Sequence, residues 1–146
     1  MENKLFLVGS AEEKFKKTPY PKSILKELPL ILREKGSGTR QAMENFIERS
    51  HLAVIRKMEL TSNEAVKQAV MAGLGYSIMP RIGVENELQY GRLQIIPVTG
   101  LPIKNTWRLI WQKGKKHSPV AAAFLEYMRQ RKSEIVKKYF SFEENY

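Results

Sequence analysis

The sequence predicts an α/β fold: a mixed, mostly parallel sheet with helices on both faces. Three observations predict it. Short apolar runs alternate with stretches of helical periodicity along the whole chain. At least one of those runs, Pro29–Arg33 (PLILR), is continuously apolar, as in a strand buried on both faces. The junctions from run to helix carry turn and cap residues, Gly36-Ser37-Gly38-Thr39 and Thr61-Ser62-Asn63-Glu64.

Taken in order, Lys4–Ser10 (KLFLVGS) is a strand rich in Leu, Phe and Val. Residues 11–22 are polar and hold Thr18-Pro19-Tyr20-Pro21, a connecting loop. Residues 23–28 make a short helix, and Pro29–Arg33 the buried strand. Residues 40–50 place Met43, Phe46 and Ile47 on one helical stripe. Residues 54–60 form the next strand. Thr61 and Glu64 have capping-box spacing and open a helix with Val66, Ala69, Val70 and Gly73 on one face. Residues 76–79 are a short strand closed by Pro80, and 81–88 a short helix ended by Gly91. Residues 92–98 are a strand. Residues 105–112 (NTWRLIWQ) put Trp107, Leu109 and Trp111 on one face of another. Ser118-Pro119 is a cap with proline at the first helical position. The last helix runs to about residue 138, with Phe124, Met128, Ile135 and Tyr139 along a stripe.

Composition narrows the function. Of 146 residues, 25 are Lys or Arg and 15 are acidic, a net charge of +10. Every acid is Glu; Asp and Cys are absent. This excludes an aspartic dyad, the usual Ser-His-Asp triad, Asp-based kinase and EF-hand signatures, thiol nucleophiles, disulfides and zinc ribbons. Two histidines, His51 and His117, cannot supply a three-His metal site. A binding protein is expected rather than an enzyme, with neither cofactor nor metal. No apolar run approaches the ~20 residues of a membrane span. Leu5–Val8 is too short for a signal-peptide core, so a cytoplasmic location is expected. The positive charge concentrates at the end: residues 101–146 carry 10 bases against 4 acids. The bases are Lys104, Arg108, Lys113, Lys115, Lys116, Arg129, Arg131, Lys132, Lys137 and Lys138. They make no block of about five like charges, so they read as a solvated face or as a lure for an anionic ligand or nucleic acid.

Ligands of such sheets gather at the carboxyl ends of the strands. Two strand-to-helix turns stand there, one over residues 33–40 and one over residues 59–63. Each helix start offers unpaired amides and the positive end of a dipole. Two that converge would hold a carboxylate, phosphate or sulfate. Ser37, Thr39, Thr61 and Ser62 add hydroxyls, and Gly36 and Gly38 allow close approach. The same residues also serve simply as caps and turns. Arg40 could clamp a ligand carboxylate, or be an exposed helix arginine. Gly-Ser-Gly-Thr-Arg lacks the Gly-Lys-Ser/Thr ending of a P-loop. His51 and His117 read as surface residues. Gly73-Leu74-Gly75-Tyr76-Ser77 looks like half a dinucleotide fingerprint, yet it enters a strand, which suits a helix C-cap and tight turn. Trp107 and Trp111 could stack bases or be core or interface. An enzyme would need Glu34, Glu59 or Glu64, the acids near the crevice.

Pro29–Arg40 (PLILREKGSGTR), Leu60–Pro80 (LTSNEAVKQAVMAGLGYSIMP), Glu87-Leu88 and Gly91-Arg92-Leu93 stand in the order seen in LysR-type transcriptional regulators. From Leu5 to about Met128 the chain resembles their CysB/CbbR-like members. The resemblance implies a type II periplasmic-binding-protein-like, two-lobed effector domain with a small effector, often an anion, between the lobes. It implies that residues 1–100 are the second lobe with crossover strands. Residues 101–146 would be the C-terminal strand and helix of an incomplete first lobe. The helix-turn-helix of a full regulator, its route to DNA, is not in this sequence. The implied effector contacts are Ser37, Gly38, Thr39, Thr61, Ser62 and Asn63. The implied partners are a small anionic effector and a second copy of the chain, with a dimer formed through an exposed apolar C-terminal segment; no membrane is involved. The alternative is a transporter's solute-binding protein, which needs a leader or lipid anchor that Met1-Glu2-Asn3-Lys4 does not suggest.

Overall fold

The computed structural model describes residues 1–114 and 116–140. Lys115, counted among the C-terminal bases, and residues 141–146 of the expected C-terminal segment lie outside the described residues. The chain forms two compact units, Lys4–Asn105 and Met1–Asn3 together with the chain from Thr106 onward.

The sheet belongs to the larger unit. Its elements are β1 (Glu2–Ser10), a 3-10 turn at Lys22–Lys26, β2 (Pro29–Arg33), α1 (Gly38–Arg49), β3 (Ile55–Leu60), α2 (Asn63–Met71), β4 (Ser77–Pro80), a 3-10 turn at Arg81–Gly83, α3 (Glu85–Gln89), β5 (Leu93–Ile95) and β6 (Ile103–Thr106). β1 lies between β4 and β5 and is antiparallel to both, with Leu7 opposite Ile78 and Val8 opposite Ile95. β6 also pairs with β1. β2 and β3 are parallel, with Arg33 opposite Leu60. A parallel bridge from Leu30 to Tyr76 carries β2 across to the start of β4. The order is therefore β3-β2-β4-β1-β5. Two of the four pairings in this order are parallel and two, those of β1, are antiparallel, so the sheet is mixed.

Both faces are covered because alternate residues of the apolar runs turn to opposite sides. Leu5, Leu7, Leu30, Leu32 and Ile78 meet Met43 and Ile47 of α1. Val8, Ile31 and Met79 meet Val66, Ala69 and Val70 of α2 and Val84 before α3. Each fully buried aliphatic side chain here contributes about 1.5–3 kcal/mol of transfer free energy. That burial on two sides is why β1 and β2 read as continuous apolar runs.

Both long helices of this unit end in a Schellman motif. After α2, Gly73 has φ +71°, its N–H donates to Val70 O, and Leu74 N–H donates to Ala69 O. Gly73 thus stands beyond the helix, not on its apolar face. Gly75 follows where a Cβ would lie 2.5 Å from Pro29 O, and the amide of Tyr76 donates to that carbonyl. The glycine pair serves a C-cap and a close strand approach, not a nucleotide.

Other expectations shift at their edges. In place of the short helix expected over 23–28 stands the 3-10 turn at Lys22–Lys26. The helix expected over 81–88 splits at Gly83 and Val84: Val84 has φ −131° and α3 starts after it. The strand expected over 92–98 stops at Ile95, ahead of Pro97, which has no N–H to pair. The strand expected over 105–112 is shorter: β6 ends at Thr106.

In the smaller unit, α4 (Pro119–Tyr139) is capped by Ser118, whose Oγ accepts from Ala121 N–H, with Pro119 next. Trp107 and Met1 exchange backbone bonds of 2.9 and 3.2 Å. Trp107, Leu109 and Trp111 line one cavity of about 520 Å³ with Leu125, Met128, Ile135, Val136 and Phe140 of this unit. Met128 and Ile135 of the expected stripe face it, whereas Phe124 and Tyr139 are exposed.

Candidate functional site

β2 and β3 end side by side, and the two turns leave from paired residues. Glu34 N–H donates to Leu60 O at 3.1 Å, one step beyond the Arg33–Leu60 pair. α1 starts four residues on from Glu34, and α2 three on from Leu60. Their N-termini therefore open at the same edge of the sheet.

Ser37 caps α1, its Oγ accepting from Arg40 N–H at 3.4 Å. Ser62, not Thr61, caps α2, its Oγ accepting from Ala65 N–H at 3.0 Å. The expected capping box is therefore not formed, because the third helical residue is Ala65, which has no carboxylate to reach back to the cap. Glu64 instead accepts from Gln68 at 2.8 Å and pairs with Lys67 at 2.8 Å. Each cap serine uses an oxygen lone pair and keeps its O–H as a donor. Among the described residues, Thr39 and Thr61 make no hydroxyl hydrogen bond. Thr61 and Ser62 are exposed, Thr39 and Asn63 half-buried. Gly36 has φ +92°, which the turn requires; Gly38 has no such constraint, and open space lies where its Cβ would stand. A hollow of about 260 Å³ beside the first turn is lined by Lys35, Gly36, Ser37, Arg40, Gln41 and Glu44. Thr61, Ser62 and Asn63 do not line it.

Behind the turns lies an ionic network. Arg33 donates to both oxygens of Glu34 at 2.7 Å and, through Nη1, to Oδ1 of Asn63. Arg40 is neither an exposed helix arginine nor a free clamp for a ligand. It is 7% exposed, donating to Glu44 at 3.0 Å, to Arg33 O at 3.0 Å and to Glu59. Arg56 reaches Glu44 at 3.4 Å. Three arginines and three glutamates of this network pair with one another, while Lys35 at the hollow belongs to none of these pairs. The Arg33 guanidinium holds the Glu34 carboxyl below the usual carboxylate range, and Lys67 does the same for Glu64. Carboxyls kept ionised in this way do not suit a general acid.

The remaining candidates lie elsewhere. His51 follows α1 with φ +51°. His117 is exposed and stands T-shaped to the Trp111 ring, 5.9 Å between centroids. Reading the sequence missed Arg33. Its one signal was a charge ending an otherwise apolar run.

Comparison with known proteins agrees with this architecture. The model of the LysR substrate binding domain matches residues 1–133. A RuBisCO operon transcriptional regulator of Acidithiobacillus ferrooxidans is 43% identical over 106 residues, 73% of this chain and 34% of the relative. The transcriptional activator CmpR of Synechocystis is 41% identical over 131 residues, 88% of this chain and 42% of the relative. The chain thus spans between about a third and two fifths of these relatives' length. Among solved structures, the regulatory domain of Synechocystis CcmR, in complex with 2-PG, superposes with a TM-score of 0.79 at 33% identity, covering 89% of this chain and 63% of that one. The effector binding domain of QuiR, in complex with shikimate, shares the fold at 16% identity and TM-score 0.68, over 90% of this chain and 63% of that one. The chain belongs to the LysR substrate binding domain family.

Proposed function

We propose that the chain is the effector-sensing part of a LysR-type transcriptional regulator, and that its effector is a small anion. The anion sits at the carboxyl edge of β2 and β3, against Ser37, Gly38 and Thr39 of one turn and Thr61, Ser62 and Asn63 of the other. One observation carries this reading: the Arg33–Leu60 pairing starts both turns at one edge. Each helix start brings unpaired amides and about half a positive charge. The ligand 2-PG in the related CcmR domain supports an organic anion. Residues 1–100 act as the second lobe and residues 101–146 as a returning strand and helix of the first. Effector binding alters the geometry of a homodimer formed through the C-terminal segment. DNA is reached through the helix-turn-helix of the parent regulator. The family match and the regulator relatives favour this over a transporter's solute-binding protein.

Thermal denaturation in the presence of inorganic phosphate, sulfate or 2-PG tests the site. A specific anion stabilises by about 2.7 kcal/mol at a hundred times its Kd. Thr61→Val keeps the shape of an exposed side chain and removes its hydroxyl, so it is expected to blunt that rise without lowering the ligand-free melting temperature. No stabilisation by any of the three, beyond a matched chloride control, would sink the reading.

A further inference from the structure

Arg33 ends β2 with each of its three guanidinium nitrogens engaged. Glu34 takes Nε and Nη2 at 2.7 Å, and Nη1 donates to Oδ1 of Asn63. A guanidinium can only donate, whereas a carboxamide has one accepting and one donating end. The wrong rotation of Asn63 would set NH2 against N–H. Arg33 therefore fixes which end of Asn63 points where. The oxygen is spent on the strand side, and among the described residues Nδ2 has no partner.

We propose that Arg33 is a positioning residue that makes Asn63 a dedicated donor to the anion. The inference rests on the anion-site reading above and deepens it. The two N–H bonds of Nδ2 join the first amides of α2 and the hydroxyls of Thr61 and Ser62. The site then consists of donors, which favours a group that presents ionised, acceptor-only oxygens, such as sulfate, a carboxylate or the unprotonated oxygens of phosphate. Glu34 has a part in this: by occupying two guanidinium nitrogens it leaves Nη1 aimed at Asn63 and prevents Arg33 from acting as a second, competing ligand.

Asn63→Asp separates this role from a structural one. The new carboxylate still accepts from Arg33, now as a charged pair, and a negative group is favoured at a helix start. The melting temperature should hold or rise. The anion, however, would meet a negative oxygen in place of a donor. NMR titration of the whole chain with inorganic phosphate, following the Asn63 side-chain amide in the parent and backbone amides of the second turn throughout, should give about tenfold weaker binding for Asn63→Asp. Arg33→Lys keeps a donor against Oδ1 and should stay within about twofold of the parent. Arg33→Met frees the carboxamide to rotate and should weaken binding about threefold or more. If Asn63→Asp binds phosphate as the parent does while Thr61→Val weakens it, the orienting role is wrong and the site stands. Equal losses in the Lys and Met variants would also overturn it. If the parent shows no titration with phosphate or sulfate, the inference and the site fall together.

Discussion

Gly38 opens α1 with nothing within 4 Å of where a Cβ would stand, and its backbone is not left-handed. The fold does not need glycine there, unlike Gly36 at φ +92° two residues earlier. Gly38→Ala should therefore stabilise the chain by about 0.4–1 kcal/mol by restricting the unfolded state. The same methyl would stand over the first amides of α1, so phosphate should bind several-fold more weakly. Chemical denaturation paired with the phosphate titration reads both. Tighter folding with undiminished binding would remove Gly38 from the site. At this level the sequence displayed residue types but not their burial. Ser37 was recognisable because caps are local chemistry, whereas the Thr-x-x-Glu spacing pointed to Thr61, one residue before the actual cap Ser62. The burial of Arg40 was not recognisable, because its fate depends on Glu59, 19 residues away on β3. The link from Arg33 to Asn63 spans 30 residues and left no local trace.

α1 ends as α2 does, with paired bonds closing the last turn: His51 N–H donates to Glu48 O at 2.9 Å and Leu52 N–H to Ile47 O at 3.1 Å. The residue in the left-handed position is Gly73 after α2 but His51, at φ +51°, after α1. A side chain there costs of order 1 kcal/mol relative to glycine. His51→Gly should raise stability by up to about 1 kcal/mol, measured by urea denaturation, and leave anion binding alone. A loss of stability would mean that the imidazole makes a contact the exposed ring does not suggest. The elements were most legible where burial is two-sided. β1 and β2 show as apolar runs, and the stripes of α1 and α2 show at helical period. They were least legible where a partner decides. The 107–112 stretch alternates like a strand, yet beyond Thr106 only the Met1–Trp107 exchange offers it a ladder among the described residues. In α4 apolar residues occupy more than one stripe, so periodicity alone could not say which one packs.

The two units differ in how their apolar surface is spent. In Lys4–Asn105 the large aliphatic side chains are buried on both faces of one sheet. In the smaller unit Leu125, Met128, Ile135 and Val136 are only half-buried around the cavity they share with Trp107, Leu109 and Trp111. Ile110 is 85% and Val120 80% exposed, with Phe124 and Tyr127 also open to solvent. Single exposed apolar residues are ordinary, but a set this dense supports the proposed pairing of two copies. The basic side chains around it, Arg108, Arg129 and Lys132, keep the rim polar, as protein–protein interfaces do. A second copy brings the same apolar surface, and a self-complementary pairing closes with two-fold symmetry. Sedimentation at high protein concentration should therefore find a dimer. Ile110→Lys combined with Phe124→Lys should shift it to monomer. Both side chains are exposed, so at dilutions where the parent is itself monomeric the two melting temperatures should agree. A clean monomer for the parent at high concentration would end the proposal. A dimer untouched by the two lysines would move the interface elsewhere. The charge of +10 does not oppose this pairing decisively, since at physiological salt the exposed lysines of two copies are screened within about 8 Å. Lowering the salt should weaken the dimer, a direction opposite to that of an interface held by ion pairs.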